Sequence, residues 1–209
     1  MSGNVTISLL DRSRQREAIK TTSRAFAPDP LFGFFARTTK QEQKILPVFL
    51  GSLLRDARRH GEVHGAFIDG TLVGSASWLP PTAMPRSYSR ELRVQLSCGR
   101  ALIAGRNRRT GIRLLNLVDD QHPNEPHWYL ALLGVEPSQQ GHGLGSALLK
   151  PVLERCDTDI TPAYLETQKP ENLPFYERFG FRVLNEVRCA DSPPVWLMWR
   201  DPDPSRTNG

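Results

Sequence analysis

An apolar run that leads through closely spaced glycines into a helical pattern constrains this chain more than any other feature. Residues 130–135 are Leu, Ala, Val or Gly, which is typical of a buried strand. Three glycines follow between positions 141 and 145, and apolar residues then recur at helical spacing. The pattern predicts a strand over residues 128–135, a tight turn, and a helix over residues 143–156.

Such a turn is suited to binding an anion. Glycine lets the backbone approach a ligand closely, and the first N–H groups of a helix have no partner within it. The helix N-terminus also carries a partial positive charge of about half an electron, so it can hold a pyrophosphate. A tight turn without a ligand is the structural alternative. The candidate phosphate-binding residues are Gln140, Gly141, His142, Gly143, Leu144, Gly145 and Ser146.

The rest of the chain alternates between strand and helix patterns. Apolar runs flank Asp69-Gly70, a dipeptide typical of a two-residue hairpin turn. The alternation predicts a mixed α/β sheet in a single domain over residues 1–200, with a disordered tail over residues 201–209. Strands are predicted at residues 5–10, 62–68, 71–78, 128–135, 163–167, 181–187 and 195–199, and helices at residues 12–26, 40–60, 143–156 and 172–179.

Two prolines and an arginine-rich segment complicate this pattern. Pro47 is expected to lie in the first turns of its helix or to split it, and Pro151 is expected to bend the helix that follows the glycines. Arginines are concentrated in residues 86–113, and the segment from there up to about residue 118 is expected to form one or two helices, because leucines recur between the arginines at roughly helical spacing. A solvated helix face is the first interpretation of this segment, and a basic rim for an acidic partner or a coenzyme phosphate is the second.

Charge and composition exclude several classes of protein. The 209 residues carry 27 Lys and Arg against 22 Asp and Glu, an excess too small for a nucleic-acid-binding tail. No apolar stretch is long enough to span a membrane. The three cysteines have no short spacing, which argues against a disulfide framework or a zinc site and favours a reducing compartment. We therefore expect a cytoplasmic protein that binds no nucleic acid, membrane or metal.

Two motifs together resemble a known enzyme superfamily. Gln140-x-x-Gly143-x-Gly145, followed some thirty residues later by the segment 172–181, resembles the acetyl-CoA-binding signature of the GCN5-related N-acetyltransferase (GNAT) superfamily. Residues 125–128, 165–167 and 172–181 are similar to the puromycin N-acetyltransferase branch. This resemblance covers roughly residues 123–199, and the N-terminal half agrees only in its order of elements.

The resemblance implies a fold and a reaction. The fold is a central, mostly antiparallel sheet of about seven strands that splays between strands 4 and 5 and is flanked by helices. The reaction is the transfer of an acetyl group from acetyl-CoA, as co-substrate, to the amine of a small molecule by direct attack in a ternary complex. A puromycin-like or other drug-like primary amine is one acceptor, and the protein would be a monomer or a homodimer. A non-catalytic acyl-CoA sensor and a protein or peptide N-acetyltransferase are the alternatives.

The resemblance also implies roles for residues of the donor site. Backbone N–H groups around Leu133, Gly134 and Val135 would bind the acetyl oxygen, with Gly134 permitting an irregular strand. Tyr176 would protonate the departing thiolate as general acid. Asn172 and Phe175 would contact the coenzyme. The alternative for Tyr176 is an aromatic ring packed beside Phe175 and Phe179.

The general base is left open between two residues. His127 opens the strand that leads to the acetyl site and titrates near neutrality, and Glu166 lies on the neighbouring strand, where partial burial could raise its pKa. Either residue could be structural instead. His60, His64 and His122 show no metal-ligand spacing with one another or with the cysteines.

Two other nucleotide-binding motifs fit the glycines poorly. A nicotinamide-binding fingerprint requires Gly or Ala where Ser146 stands, and it usually opens a domain rather than following some 140 residues. A P-loop requires Gly-Lys-Ser/Thr after the glycines, and that sequence does not occur here.

Overall fold

One sheet of seven strands organises the part of the chain that the computed structural model describes, residues 4–27, 29–36, 38–84, 90, 96 and 107–205. The strands confirm the sequence prediction, and no predicted bound differs by more than one residue. They are β1 (Val5–Leu9), β2 (Glu62–Ile68), β3 (Thr71–Leu79), β4 (Trp128–Val135), β5 (Ala163–Thr167), β6 (Arg182–Val187) and β7 (Val195–Arg200).

The α-helices within the described residues flank this sheet. They are α1 (Gln15–Phe26), α2 (Pro30–Phe35), α3 (Thr39–His60), α4 (Arg108–Asp120), α5 (Leu144–Thr158) and α6 (Leu173–Glu177). Helix α1 begins later than predicted because Asp11 caps a separate 3₁₀ turn, Arg12–Arg14. Helix α6 is shorter than predicted because a second 3₁₀ turn, Pro170–Asn172, precedes it. None of the helices in this part of the chain combines the length and the hydrophobicity that crossing a membrane requires.

Helix α2 was not predicted from the sequence. Asp29 caps it by accepting a hydrogen bond from the N–H of Leu31 at 2.9 Å, and Pro30 occupies its first position. Both are ordinary signals of a helix start. The helix is only six residues long, so no apolar periodicity develops that would reveal it.

Both interior prolines lie within continuous helices. Pro47 is well inside α3, which runs unbroken to His60, so the prediction that Pro47 lies in the first turns or splits the helix is wrong. Pro151 is in the middle of α5, which continues to Thr158. Each proline removes one helical hydrogen bond, at a cost of about 3 kcal/mol. Packing offsets this cost, because buried residues flank both prolines: Leu46 and Leu50 in α3, and Leu149 and Val152 in α5.

The sheet has the order β1-β2-β3-β4-β5-β7-β6. Neighbouring strands are antiparallel except for β4 and β5, which are parallel. The predicted hairpin at Asp69-Gly70 joins β2 and β3, and both of its central residues have positive φ, 49° and 78°. This is the geometry that an Asp-Gly turn favours.

The parallel pair separates partway along its length. Strands β4 and β5 pair only from Trp128 and Ala163 to Leu130 and Leu165, although β4 continues to Val135. On its other edge β4 shifts register against β3 at this same point, since Ser77 pairs with Leu132 and Trp78 with Leu130, which leaves Ala131 unpaired. An extra residue of this kind bends a strand. The bulge at Ala131 therefore accompanies the divergence of β4 from β5, and the predicted splay between strands 4 and 5 is confirmed.

Two apolar clusters cover the two faces of the sheet. One joins α1, α2, α3 and α4 to the sheet, and the other packs α5 and α6 against the opposite face. Cys156 and Cys189 are buried and free, and burial raises the pKa of the Cys156 thiol to about 12. Cys98 lies outside the described residues.

The structure describes part of the arginine-rich segment. Its C-terminal end forms the start of α4, and Arg90 is 6% exposed. The Arg90 guanidinium donates to both carboxylate oxygens of Asp56 in α3, each at 2.7 Å. The expectation of a solvated face is therefore wrong at Arg90. Most other positions between 86 and 106 lie outside the described residues.

Gly134 serves a different purpose from the one that the sequence indicated. The irregularity of β4 lies at Ala131, and Gly134 pairs regularly with Ser75. A Cβ on Gly134 would lie 3.1 Å from Ala25 Cβ and 3.2 Å from Thr22 Cγ2, both on α1. Gly134 therefore allows α1 to pack closely on the end of β4.

Replacing Gly134 by alanine is expected to destabilise the protein. The new methyl group must push against α1, and overpacking of this kind costs about 1–3 kcal/mol. The free energy of unfolding from urea denaturation measures the effect. Gly33→Ala is the matched control, because nothing lies within 4 Å of a Cβ there and alanine favours the helix. A Gly134→Ala protein as stable as the Gly33→Ala protein would contradict the packing argument.

Candidate active site

A cavity of about 920 Å³ opens where β4 and β5 separate. The ends of β4 and β5, the glycine loop and α6 line one side of it, and α1 to α4 line the other. Every predicted coenzyme-binding residue except His142 lines the cavity, and Glu166 does so as well. These residues are Leu133, Gly134, Val135, Gln140, Gly141, Gly143, Leu144, Gly145, Ser146, Asn172, Phe175 and Tyr176.

Backbone amides of β4 point into the gap between the strands. The N–H of Glu136 donates to the carbonyl of Val73, so the amide of Glu136 faces β3. Amide directions alternate along a strand, so the N–H of Gly134 also faces β3, whereas those of Leu133 and Val135 face the gap. The side-chain amide of Gln140 agrees with this pattern, since it donates to the carbonyl of Val135 from the open side at 3.0 Å. Leu133 and Val135 thus present donors where β5 is no longer paired.

The glycine loop exposes the N-terminus of α5 to the cavity. Gly141 and Gly143 have φ of 80° and 79°, a conformation that L side chains rarely adopt. Gly143 is the N-cap of α5, and no side chain of the described residues caps this end. The first amides of α5 are therefore available to an anion, as the sequence indicated. His142 is exposed and does not line the cavity.

Tyr176 lies on the cavity side of α6. The residue is 7% exposed, and burial raises the pKa of its hydroxyl, so the group stays a protonated phenol at neutral pH. Its ring packs edge-on against Phe175 and Phe181, with centroids 5.1 and 5.9 Å away. The Asn172 side chain donates to Thr167 Oγ1 at 3.0 Å and holds the start of α6 against the end of β5. Tyr176 is therefore both a packed ring and a cavity-lining phenol.

Glu166 is a largely buried carboxylate held by aromatic and imidazole groups. The Tyr129 hydroxyl donates to Oε2 at 2.7 Å, and His122 Nδ1 lies 3.6 Å from Oε1. Burial raises the pKa of the Glu166 carboxyl, but the neighbouring His122 ring, through its charge when it is protonated, and the hydrogen bond from Tyr129 together lower it below its ordinary value. The expected upward shift is therefore wrong, because burial is not the only influence on this carboxylate.

His127 lies behind the cavity rather than in it. The residue directly precedes β4, is 1% exposed and does not line the cavity. Its Nδ1–H donates to the carbonyl of Glu125 at 2.6 Å, and its Nε2 lies 3.1 Å from His122 Nε2. Burial is the main cause that lowers the pKa of His127 to about 4, so the ring is neutral at physiological pH.

His122 occupies the position between Glu166 and His127, and sequence reasoning missed it. Its ring lines the cavity and packs against Tyr164 at 4.7 Å between centroids and against Tyr129 at 5.2 Å. His122 and His127 flank a short connector that contains two prolines. The pair could have been noticed as two histidines brought together by a turn, but neither spacing nor periodicity places them beside Glu166.

The opposite side of the cavity is apolar and aromatic, with buried acid groups. The rings of Phe26 and Phe49 both pack edge-on against Phe32, at 6.5 and 5.2 Å. Asp29 is 4% exposed and lines the same side, and burial raises the pKa of its carboxyl. Further apolar lining residues are Leu31, Leu50, Leu53, Ile112, Leu114 and Leu115.

Comparisons with known proteins agree with this geometry. The sequence model of the Acetyltransferase (GNAT) family matches residues 27–181. An uncharacterized N-acetyltransferase of Schizosaccharomyces pombe (strain 972 / ATCC 24843) is 26% identical over 200 residues, which cover 90% of this chain and 80% of that protein. The family match includes the glycine loop, both diverging strands and α6.

Solved structures share the fold. One is described as histone acetyltransferase HPA2 and related acetyltransferase from Corynebacterium glutamicum; it has a TM-score of 0.68 and 25% identity, and covers 97% of this chain and 98% of that one. PaiA N-acetyltransferase from Thermoplasma acidophilum, in complex with coenzyme A, has a TM-score of 0.57 and 13% identity, and covers 95% of this chain and 99% of that one. The superfamily expected from the sequence is confirmed.

The neutral, buried His127 should make stability depend on pH. Its pKa is about 4 in the folded protein against an ordinary value of 6.5, so between these values the unfolded chain binds a proton that the folded protein does not. The contribution of the neutral ring to the free energy of unfolding is therefore complete above pH 6.5. It falls by roughly 3 kcal/mol as the pH decreases towards 4. The free energy of unfolding in urea at pH 7, 6, 5 and 4 measures this loss.

The variant His127→Gln identifies the source of the pH dependence. It removes the titrating ring, so its free energy of unfolding should change less between pH 6.5 and 4.5 than that of the wild type. His64→Gln, at another buried histidine that lies 3.2 Å from Glu62, is the control and should retain the wild-type dependence on His127. An unchanged slope in the His127→Gln protein would contradict this assignment.

Proposed function

Because the chain belongs to the Acetyltransferase (GNAT) family, we propose that it transfers the acetyl group of acetyl-CoA to a primary amine of a small molecule by direct attack in a ternary complex. One observation carries the proposal. A single cavity joins the open N-terminus of α5, the gap between β4 and β5, the phenol of Tyr176 and the carboxylate of Glu166. Anion binding, thioester access and proton transfer can then occur in one place.

The donor half of the cavity fits acetyl-CoA. The amides of residues 141–146 bind the pyrophosphate, and the side chains of Asn172 and Phe175 border the pantetheine arm. The thioester then enters the gap, where the N–H groups of Leu133 and Val135 can donate to its oxygen. The relative from Thermoplasma acidophilum is described as a complex with coenzyme A, which supports this assignment of the ligand.

The chemistry requires three groups in this proposal. The uncharged amine attacks the thioester carbon, and negative charge that develops on the acetyl oxygen is stabilised by the β4 amides. The carbon–sulfur bond breaks, and Tyr176 gives its proton to the departing thiolate as general acid. The proton that the attached nitrogen loses when the amide forms returns the phenolate of Tyr176 to a phenol. Glu166, ionised because its pKa is low, attracts the ammonium form of the acceptor and receives its proton.

The acceptor is a small amine with an apolar body. Aromatic and aliphatic side chains line the acceptor half, the acidic residues Asp29 and Asp119 border it, and the ionised Glu166 supplies negative charge. A puromycin-like or other drug-like primary amine has both properties, and the puromycin N-acetyltransferase-like branch stays a prediction. Peptide acetylation is the second candidate, because the relative from Corynebacterium glutamicum is described as a histone acetyltransferase and related acetyltransferase. The cytoplasmic location also stays a prediction.

Tyr176→Phe should slow acetyl transfer while leaving acetyl-CoA binding intact. The variant keeps the ring packing on Phe175 and Phe181 but removes the proton donor, so kcat should fall about 100-fold. Thiol release from acetyl-CoA measures kcat, and calorimetry measures the Kd of acetyl-CoA. Phe181→Leu, which changes the packing beside Tyr176 without removing its hydroxyl, is the control. Equal kcat values in Tyr176→Phe and wild type would remove Tyr176 from the mechanism.

An amine panel should separate small-molecule from peptide acceptors. The panel contains arylalkyl and alkyl primary amines, polyamines, aminoglycosides and peptides with free N-termini or lysines, each incubated with acetyl-CoA. We expect arylalkyl and alkyl monoamines to gain the mass of one acetyl group fastest, because the acceptor half has more apolar than charged lining. Preference for peptides would favour the second candidate. Tight acetyl-CoA binding without turnover on any amine would favour a sensor.

A further inference from the structure

A chain of polar contacts leads from Glu166 through two histidines to a backbone carbonyl. His122 Nδ1 lies 3.6 Å from Glu166 Oε1, His122 Nε2 lies 3.1 Å from His127 Nε2, and His127 Nδ1 lies 2.6 Å from the carbonyl oxygen of Glu125. The two imidazole rings touch, with centroids 5.0 Å apart. Neither His122 nor this chain has a role in the function proposed above.

The carbonyl at the far end fixes where the protons lie. A carbonyl oxygen only accepts, so the hydrogen on His127 must be on Nδ1. Since burial keeps His127 neutral, its Nε2 carries a lone pair and must accept from His122. His122 therefore carries a hydrogen on Nε2 in both of its protonation states. The proton that His122 can gain or lose is the one on Nδ1, the atom that faces Glu166.

We propose that His122 is the final proton acceptor of the acetyl-transfer reaction and that His127 is the positioning residue that keeps His122 Nδ1 available for it. This inference rests on the function proposed above. The N–H bond of the acceptor ammonium breaks and its proton moves to Glu166 Oε1. The proton then passes from Oε1 to His122 Nδ1, which yields an imidazolium and restores the carboxylate. His122 lines the cavity, so its proton can leave to water there after the product departs.

The charges around His122 favour this direction of transfer. Glu166 is the carboxylate nearest to the ring, and the charge of a protonated His122 lowers the pKa of the Glu166 carboxyl. Tyr164 packs on His122 and stays neutral, because burial and the nearby Glu166 carboxylate raise its pKa. Asp119 of α4 also borders the cavity beside His122. The pair of carboxylate and imidazolium is therefore favoured over the pair of protonated acid and neutral imidazole.

The dependence of kcat/KM on pH tests this transfer of the proton from Glu166 to His122, which we call the relay. The glutamine of His122→Gln can still donate to His127 but cannot take up a proton. At pH 7 its kcat/KM should fall about 100-fold, and the deficit should shrink as the pH rises, because an amine that arrives uncharged has no ammonium proton to give up before it attacks. Wild-type and His122→Gln profiles with the same shape would overturn the relay.

Two substitutions at position 127 separate positioning from packing. His127→Asn can still donate to the Glu125 carbonyl but no longer reaches His122, so the acid limb of the pH profile should move. His127→Gln offers an amide oxygen near the position of Nε2 and should restore the limb towards that of the wild type. His64→Gln is the control at a buried histidine outside the cavity and should leave the shape of the profile unchanged. An equal effect from all three variants would overturn the proposal.

A measurement without turnover tests the tautomers directly. In ¹⁵N-labelled protein, ring nitrogen shifts should show His127 protonated on Nδ1 and unprotonated on Nε2 at pH 7. A His127 ring with its proton on Nε2 would overturn the relay whatever the activity. Absence of acetyl transfer by the wild type to every amine would overturn the proposed function and the relay together. Acetyl transfer with unaltered pH dependence in His122→Gln would overturn the relay alone.

Discussion

The active site depends on the early end of the pairing between β4 and β5. A parallel pair in the middle of a sheet normally satisfies all backbone groups on the facing edges. Here the pairing with β5 stops at Leu130, the residue before the bulge at Ala131. The remaining residues of β4 stay paired with β3 alone. The gap thus leaves amides of β4 without a strand partner while β3 keeps them in place. A cavity with ready donors is the direct result.

The elements around the gap hold it rigidly. Helix α5 is fixed by buried leucines and starts at the glycine loop, so its exposed N-terminus cannot drift away from the end of β4. Helix α1 packs against Gly134, and Arg24 of α1 forms a bidentate ion pair with Glu136 just beyond β4. This ion pair is half exposed and contributes little free energy, but its geometry ties α1 to the strand end.

Buried charges in the site are compensated by neighbours from different elements. Glu166 comes from β5, Tyr129 from β4 and His122 from the connector after α4, and together they keep the carboxylate ionised despite its burial. His127 differs, since its ring donates to a carbonyl and accepts from His122, and burial keeps it neutral. Two groups that look equivalent as candidate bases in the sequence thus acquire different protonation behaviour from their surroundings.

The sequence by itself determined the strands, most helices and the glycine loop, and it named most of the residues of β4, the glycine loop and α6 that line the cavity. These features depend on local signals, namely periodicity, turn residues and the order of short motifs. Such signals can be recognised without knowing which distant residues are in contact. Only the tertiary structure decided that His122 stands between Glu166 and His127, that Gly134 accommodates α1, and that the pKa of Glu166 falls. Residues far apart in the chain supply each of these contacts, and burial and charge act through space, so no local pattern encodes them.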